Sequence, residues 1–188
     1  MVTTKLMTAA DLAALPEGDG FRYELIEGVL HKEMAPAGGP HGSVAARMTH
    51  PLHLMMAAHP AIGEIFIAEE GFFLRHDPDT VVAPDASFVL AEALPPGWNV
   101  VGSGYLPCVP TLVIEVVSPS NSLPEVMAKV DVYLKAGVPL IWVAFPATRT
   151  VLVDGAGRER LTLTAADALD GGDVLPHLPP LRVADLFR

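Results

Sequence analysis

Two acids stand where water should be scarce. Glu115 lies in Thr111-Leu112-Val113-Ile114-Glu115-Val116-Val117-Ser118, a β-branched, apolar run that reads as a strand buried on both faces. Asp85 lies in Val81-Val82-Ala83-Pro84-Asp85-Ala86-Ser87-Phe88-Val89-Leu90, a second strand-like run that also carries one acid. A carboxylate in such surroundings loses its hydration, which is unfavourable unless a cation or strong donors replace the water. Side chains alternate along a strand, so Val113, Glu115 and Val117 share one face, as do Asp85, Ser87 and Val89 on theirs. If the two strands are neighbours, the acids approach each other. Two adjacent carboxylates repel, and a hard divalent cation with oxygen ligands removes that repulsion. Lys129 follows on the next helix, with Tyr133 one turn beyond on the same face. A lysine beside a metal site can orient a water or stabilise a developing negative charge. The competing reading of Glu115 is a structural salt bridge to Lys129. Asp85 taken alone, directly after Pro84, reads as a turn or strand-end residue.

These residues need elements to hold them. Residues 8–14 fit a short helix capped by Thr8. Residues 21–25 and 29–34 flank Ile26-Glu27-Gly28 as a hairpin. Residues 35–40 read as a Pro/Gly loop. His41 then opens a helix, with Val44, Met48, Leu52 and Met55 or Met56 at helical spacing. Pro51 should kink that helix or end its first half. Residues 62–74 read as a strand, broken or bulged near Glu69-Glu70-Gly71, and residues 81–90 as the next. Residues 91–110, with Pro95, Pro96, Pro107 and Pro110, read as a long surface loop. After the strand at 111–117, residues 123–136 form a helix with Pro124 in its first turn and Gly137 as its stop. Residues 138–145 form another strand. Residues 150–153 and 161–164 pair as a hairpin, and the tail holds a short closing element. This mixture predicts an α/β fold, a sheet with helices packed on it, in one domain spanning residues 1–188.

The net charge of −10, from 12 Lys and Arg against 22 Asp and Glu, argues against a non-specific nucleic-acid coat protein. It does not exclude a nucleic-acid enzyme, because clustered carboxylates lower the charge and bound divalent ions offset it locally. No apolar stretch reaches transmembrane length. The N-terminus lacks the apolar core of a signal peptide, and the single Cys108 forms no intrachain disulfide. Both features point to the cytoplasm.

Several motifs resemble one known family. They are Tyr23-Glu24-Leu25-Ile26-Glu27-Gly28, His41, Pro84-Asp85, Glu115-Val116-Val117-Ser118-Pro119-Ser120, Lys129 with Tyr133, Ala136-Gly137-Val138-Pro139 and Trp142-Val143. Together they are similar to the Uma-two family of endonucleases, in the PD-(D/E)XK superfamily, from about Tyr23 to the C-terminus. The resemblance implies a restriction-endonuclease-like fold, with the N-terminal helix and hairpin beside a mixed sheet flanked by helices. It also implies metal-dependent hydrolysis of phosphodiesters in DNA. Asp85, Glu115 and the carbonyl of Val116 would hold Mg²⁺, with Mn²⁺ as a substitute. The superfamily lysine two positions after the acid is Val117 here, and the resemblance places that role at Lys129. Glu24 reads either as a hairpin surface residue or, through the resemblance, as an outer ligand or water-positioning catalytic group. His41 either begins its helix or meets a substrate phosphate at the helix N-terminus. Tyr133 joins it as a substrate-binding candidate.

Binding to DNA is expected to be weak and salt-sensitive with so few cations, and a homodimer would suit two-strand cleavage. Two departures from the family favour an alternative, a non-catalytic binding or interaction module on the same fold. The polar approach to the lysine is replaced by Leu123-Pro124-Glu125-Val126-Met127-Ala128, and the acid after the Trp-containing strand is replaced by Phe145. His50 and His53 flank Pro51 with no acid or cysteine beside them and read as surface residues. Gly102-Ser103-Gly104 lacks the strand-to-helix context of a phosphate loop.

Overall fold

The chain begins with α1 (Ala9–Ala13), whose Thr8 cap and Asp11 side chain satisfy each other's backbone N–H groups. The computed structural model describes residues 6–16, 19–34, 39–67, 70–99 and 104–188. The expected hairpin follows as β1 (Phe21–Ile26) and β2 (Val29–Met34), paired antiparallel. Most of the predicted 35–40 loop lies outside the described residues. At its end the helix α2 (Gly39–Ala58) is already formed two residues before His41. Pro51 neither ends nor divides it. Val44, Met48, Leu52 and Met55, on both sides of the proline, are buried in one core. That shared burial outweighs the single hydrogen bond a proline removes.

The run at 62–74, expected to break near Gly71, and the run at 81–90, read as one strand, each divide between two sheets. Residues 62–74 hold β3 (Gly63–Ile67) and β4 (Phe72–Arg75). Residues 81–90 hold β5 (Thr80–Val82) and β6 (Ala86–Leu90). The breaks fall beside Gly71 and at Ala83-Pro84-Asp85, where proline lacks a ladder donor. One four-stranded sheet has the order β2-β1-β5-β4.

The second sheet continues with β7 (Leu112–Val116), β8 (Leu140–Phe145), β9 (Thr150–Asp154) and β10 (Leu161–Leu163), in the order β10-β9-β8-β7-β6-β3. Only β7 and β8 run parallel within it, and α3 (Leu123–Lys135) makes the crossover between them. A small tail pair, β11 (Ala168–Leu169) and β12 (Leu181–Arg182), precedes α4 (Val183–Leu186).

Alternation decides what each face of this sheet meets. Leu112, Ile114, Val116, Leu140, Trp142 and Ala144 point to the core shared with α2 and α4. Val113, Ile141 and Val143 point the other way, to the core holding Val130 and Tyr133 of α3 and Val82 of the smaller sheet. The mixed sheet is therefore flanked by α2 on one face and α3 on the other. Glu115, in step with Val113, faces α3 at the end of β7. Among the described residues no helix is long and apolar enough to cross a membrane.

Candidate functional site

Asp85 and Glu115 meet because β6 and β7 are antiparallel neighbours. The register pairs Ala86 with Ile114, which sets Asp85, just before β6, opposite Glu115. Pro84 ends the ladder there, so the Asp85 side chain is free of strand pairing. Its Oδ2 accepts the Val116 N–H at 2.8 Å and lies 3.0 Å from Nε2 of His41, in the first turn of α2. Its Oδ1 lies 3.0 Å from Nη1 of Arg22 on β1. Burial pushes the Asp85 carboxyl up, but the His41 hydrogen bond and the Arg22 charge outweigh it and hold it at about 2. The same contact raises His41, aided by a backbone bond at Val116. The Val116 N–H points at Asp85, and in an extended strand a residue's N–H and C=O point to the same side, which sets the Val116 carbonyl on the Asp85 side of β7.

Glu115 is held from behind. Its Oε1 accepts from the Tyr133 hydroxyl at 2.6 Å and from Lys129 Nζ at 2.9 Å. Lys129 and Tyr133 are one turn apart on α3, whose start is fixed by the Ser122–Glu125 capping box. Lys129 also lies 3.0 Å from Oε1 of Glu24, which accepts the Ala83 N–H at 2.7 Å. Burial opposes the charge on Lys129, but the Glu115 and Glu24 carboxylates raise its pKa and keep the ammonium protonated. Burial pushes Glu115 up to about 7; Lys129 pulls it down, while Asp85 and Glu24 add to the rise. Among the described residues only Oε1 of Glu115 is engaged by a hydrogen bond.

These groups border a cavity of about 400 Å³ lined by Arg22, His41, Asp85, Glu115, Val116 and Lys129, with Lys32 to Met34 of β2 on one rim and Ser118 to Asn121 on another. Two sequence candidates lie behind it. Glu24 is buried and reaches the cavity only through Lys129. Tyr133 is fully buried beneath Glu115, its hydroxyl turned to that carboxylate. Arg22 was absent from the sequence candidates. Strand alternation places it on the same face as Glu24, two residues away, but nothing local sets that face against Asp85.

The donor set suits a hard divalent ion. Two carboxylates and a carbonyl converge, all oxygen, and Mg²⁺ is commonly held by one or two carboxylates with waters and substrate oxygens completing the shell. Among the described residues no cluster of three or more His, Cys, Asp or Glu side chains could close an all-protein cage.

A family model, Uma2, described as "Putative restriction endonuclease", matches residues 9–184. No curated protein matches the chain. Among solved structures, one described as "a putative nuclease belonging to DUF820" from Anabaena variabilis ATCC 29413 superposes with a TM-score of 0.78 at 22% identity, covering 96% of this chain and 97% of that one. At that identity the likeness establishes a shared fold.

Proposed function

This chain belongs to the Uma2 family, and from that premise we propose that it is a divalent-metal-dependent endonuclease that hydrolyses DNA phosphodiesters at the Asp85–Glu115 cavity. The observation that carries this reading is the convergence of buried Asp85 and partly buried Glu115, from neighbouring segments of one sheet, with a protonated lysine 2.9 Å from Glu115. Asp85, Glu115 and the Val116 carbonyl would hold the ion. When bound, Mg²⁺, or Mn²⁺ in its place, would supply the Lewis acidity for the phosphate and for the attacking water. Lys129, fixed by Glu24 and Glu115, presents a charged donor to that water or to the phosphate oxygens as negative charge builds. Tyr133 fixes the Glu115 rotamer. His41 and Lys32 line the cavity as cations for the substrate backbone. With a net charge of −10 over the whole chain and only a few cations at this cavity, binding to DNA is weak and falls with salt. The match over residues 9–184 supports reading the chain as one nuclease domain.

One observation favours a second reading, a non-catalytic binding module: both oxygens of Asp85 are already engaged by Arg22, His41 and Val116. Cleavage decides between the two. Purified protein with Mg²⁺ or Mn²⁺ should nick plasmid DNA, and chelation should stop it. Asp85→Ala should abolish nicking. Lys129→Ala should slow it by roughly 10²-fold or more, while Mn²⁺ affinity changes far less, because the lysine acts on the transition state and the acids hold the ion. Equal nicking by wild type and both folded variants, or none by wild type across metals, would replace this reading with the second.

A further inference from the structure

Arg22 is the cation that occupies Oδ1 of Asp85. Its Nη1 lies 3.0 Å from Asp85 Oδ1 and 3.3 Å from the carbonyl of Ala83. It is only 15% exposed, yet it lines the cavity. The opposite oxygen of Asp85 is taken by the Val116 N–H and by His41. A carboxylate offers about four lone-pair sites, so protein partners fill most of Asp85. A divalent ion cannot share Oδ1 with a guanidinium at this distance, because like charges so close in a sheltered site repel strongly. Removing Arg22 from Asp85 without another anion would leave a largely buried guanidinium with the Ala83 carbonyl as its remaining hydrogen-bond acceptor and only the weaker attraction of Glu115 and Glu24, which is unfavourable. A phosphodiester entering the cavity supplies that anion, and a guanidinium binds phosphate oxygens through paired N–H groups.

We propose that Arg22 is a resident counter-ion that exchanges partners: its guanidinium passes from Asp85 to a non-bridging oxygen of the substrate phosphodiester as Asp85 turns to the divalent ion. The inference rests on the metal-dependent nuclease reading. Arg22 thereby makes the metal and the phosphodiester bind as a pair. With neither bound, Asp85 is neutralised by the chain itself. With only the metal bound, Arg22 is stranded; with only the phosphodiester, Asp85 is. With both, every charge has a partner. Coupling of this kind is reciprocal, so each ligand raises the affinity for the other by the same factor.

The test is a calorimetric Mn²⁺ titration of the whole chain. It is run with and without a short DNA oligonucleotide whose bridging 3′ oxygens are replaced by methylene, which keeps the charge and cannot be hydrolysed there. Wild type should bind Mn²⁺ roughly tenfold tighter with the oligonucleotide than without it. Arg22→Met should bind Mn²⁺ alone about fivefold tighter than wild type and bind the oligonucleotide alone more weakly. Its coupling should shrink by at least about threefold. Arg22→Lys, which keeps a competing charge, should bind Mn²⁺ alone as wild type does. A salt bridge that only orients Asp85 gives the opposite: weaker Mn²⁺ binding in Arg22→Met and unchanged coupling. That result, with wild type still cutting DNA in Mn²⁺, overturns the exchange and leaves the nuclease reading standing. Wild type that binds no Mn²⁺ under either condition removes both. Should Arg22→Met fail to fold, wild-type Mn²⁺ affinity that ignores the oligonucleotide overturns the exchange by itself, as does Arg22→Lys with Mn²⁺ binding as tight as that expected of the methionine variant.

Discussion

At the scale of single residues, the site is a charge balance struck without solvent. Glu115 is mostly, not fully, buried beside two other acids, and its carboxyl rises to about 7 from the usual 4.5. The folded protein therefore holds that proton more tightly than the unfolded chain. The resulting stability is complete below about pH 4.5 and is lost as pH climbs to about 7, a difference of up to about 3 kcal/mol. His41, also raised, is lost in the same direction as pH passes its own range. Asp85 acts oppositely and lower: held at about 2, it contributes stability above its ordinary 3.8 that disappears as pH falls to about 2. Urea melts of metal-free protein should thus weaken from pH 4.5 to 7. Glu115→Gln should flatten most of that decline and leave the His41 part; a decline unchanged in Glu115→Gln would refute the assignment. Asp85 and Glu115 were legible in the sequence because an acid inside an apolar strand demands a partner. Arg22 was not, since an arginine in a hairpin strand looks like a solvated residue until the second sheet is seen to fold over it. Glu24 was legible only through the family motif, and its burial against Lys129 depends on packing between sheets that no local pattern encodes.

At the scale of elements, α3 is the part that sets Lys129 and Tyr133 against Glu115. Its ends were readable: Ser122 and Glu125 cap its start, and Gly137 follows its last residues at φ 85°. A Cβ on Gly137 would touch nothing within 4 Å, so the cost of Gly137→Ala is conformational alone. That variant should lose about 1 kcal/mol in chemical denaturation while keeping wild-type Mn²⁺ affinity. A much larger loss would show that the turn into β8 is held by contacts as well. Strand membership was less readable. The sequence marks the break near Gly71 but not the one at Pro84, where residues 81–90 read as one strand, and the sheet that each half-strand joins is fixed by long-range pairing: β5 to β1 and β4, β6 to β3 and β7. The break at Pro84 matters for the proposed site, because Asp85 lies where the chain passes from one sheet to the other and lines the cavity there. Pro51 misled for a related reason, since the buried stripe of α2 holds the helix together across it.

At the scale of the whole molecule, two sheets and α3 close around one cavity, and the acidic chain gathers Arg22, Lys32, His41 and Lys129 there. The α/β class and the order of most elements follow from alternation and apolar runs, whereas the meeting of Asp85 with Glu115 is an expectation from alternation together with the family resemblance. The enclosure of the site follows from how the N-terminal sheet packs over α3, a tertiary fact. That enclosure makes the placement of the ion decisive for the proposed chemistry. The most direct measurement is anomalous diffraction from crystals grown with Mn²⁺ and the methylene-substituted oligonucleotide. The expected result is one manganese peak about 2.1 Å from oxygens of both Asp85 and Glu115, with the Arg22 guanidinium on the phosphate. A cavity without manganese, with Arg22 still on Asp85 while nucleic acid occupies the crystal, would contradict it.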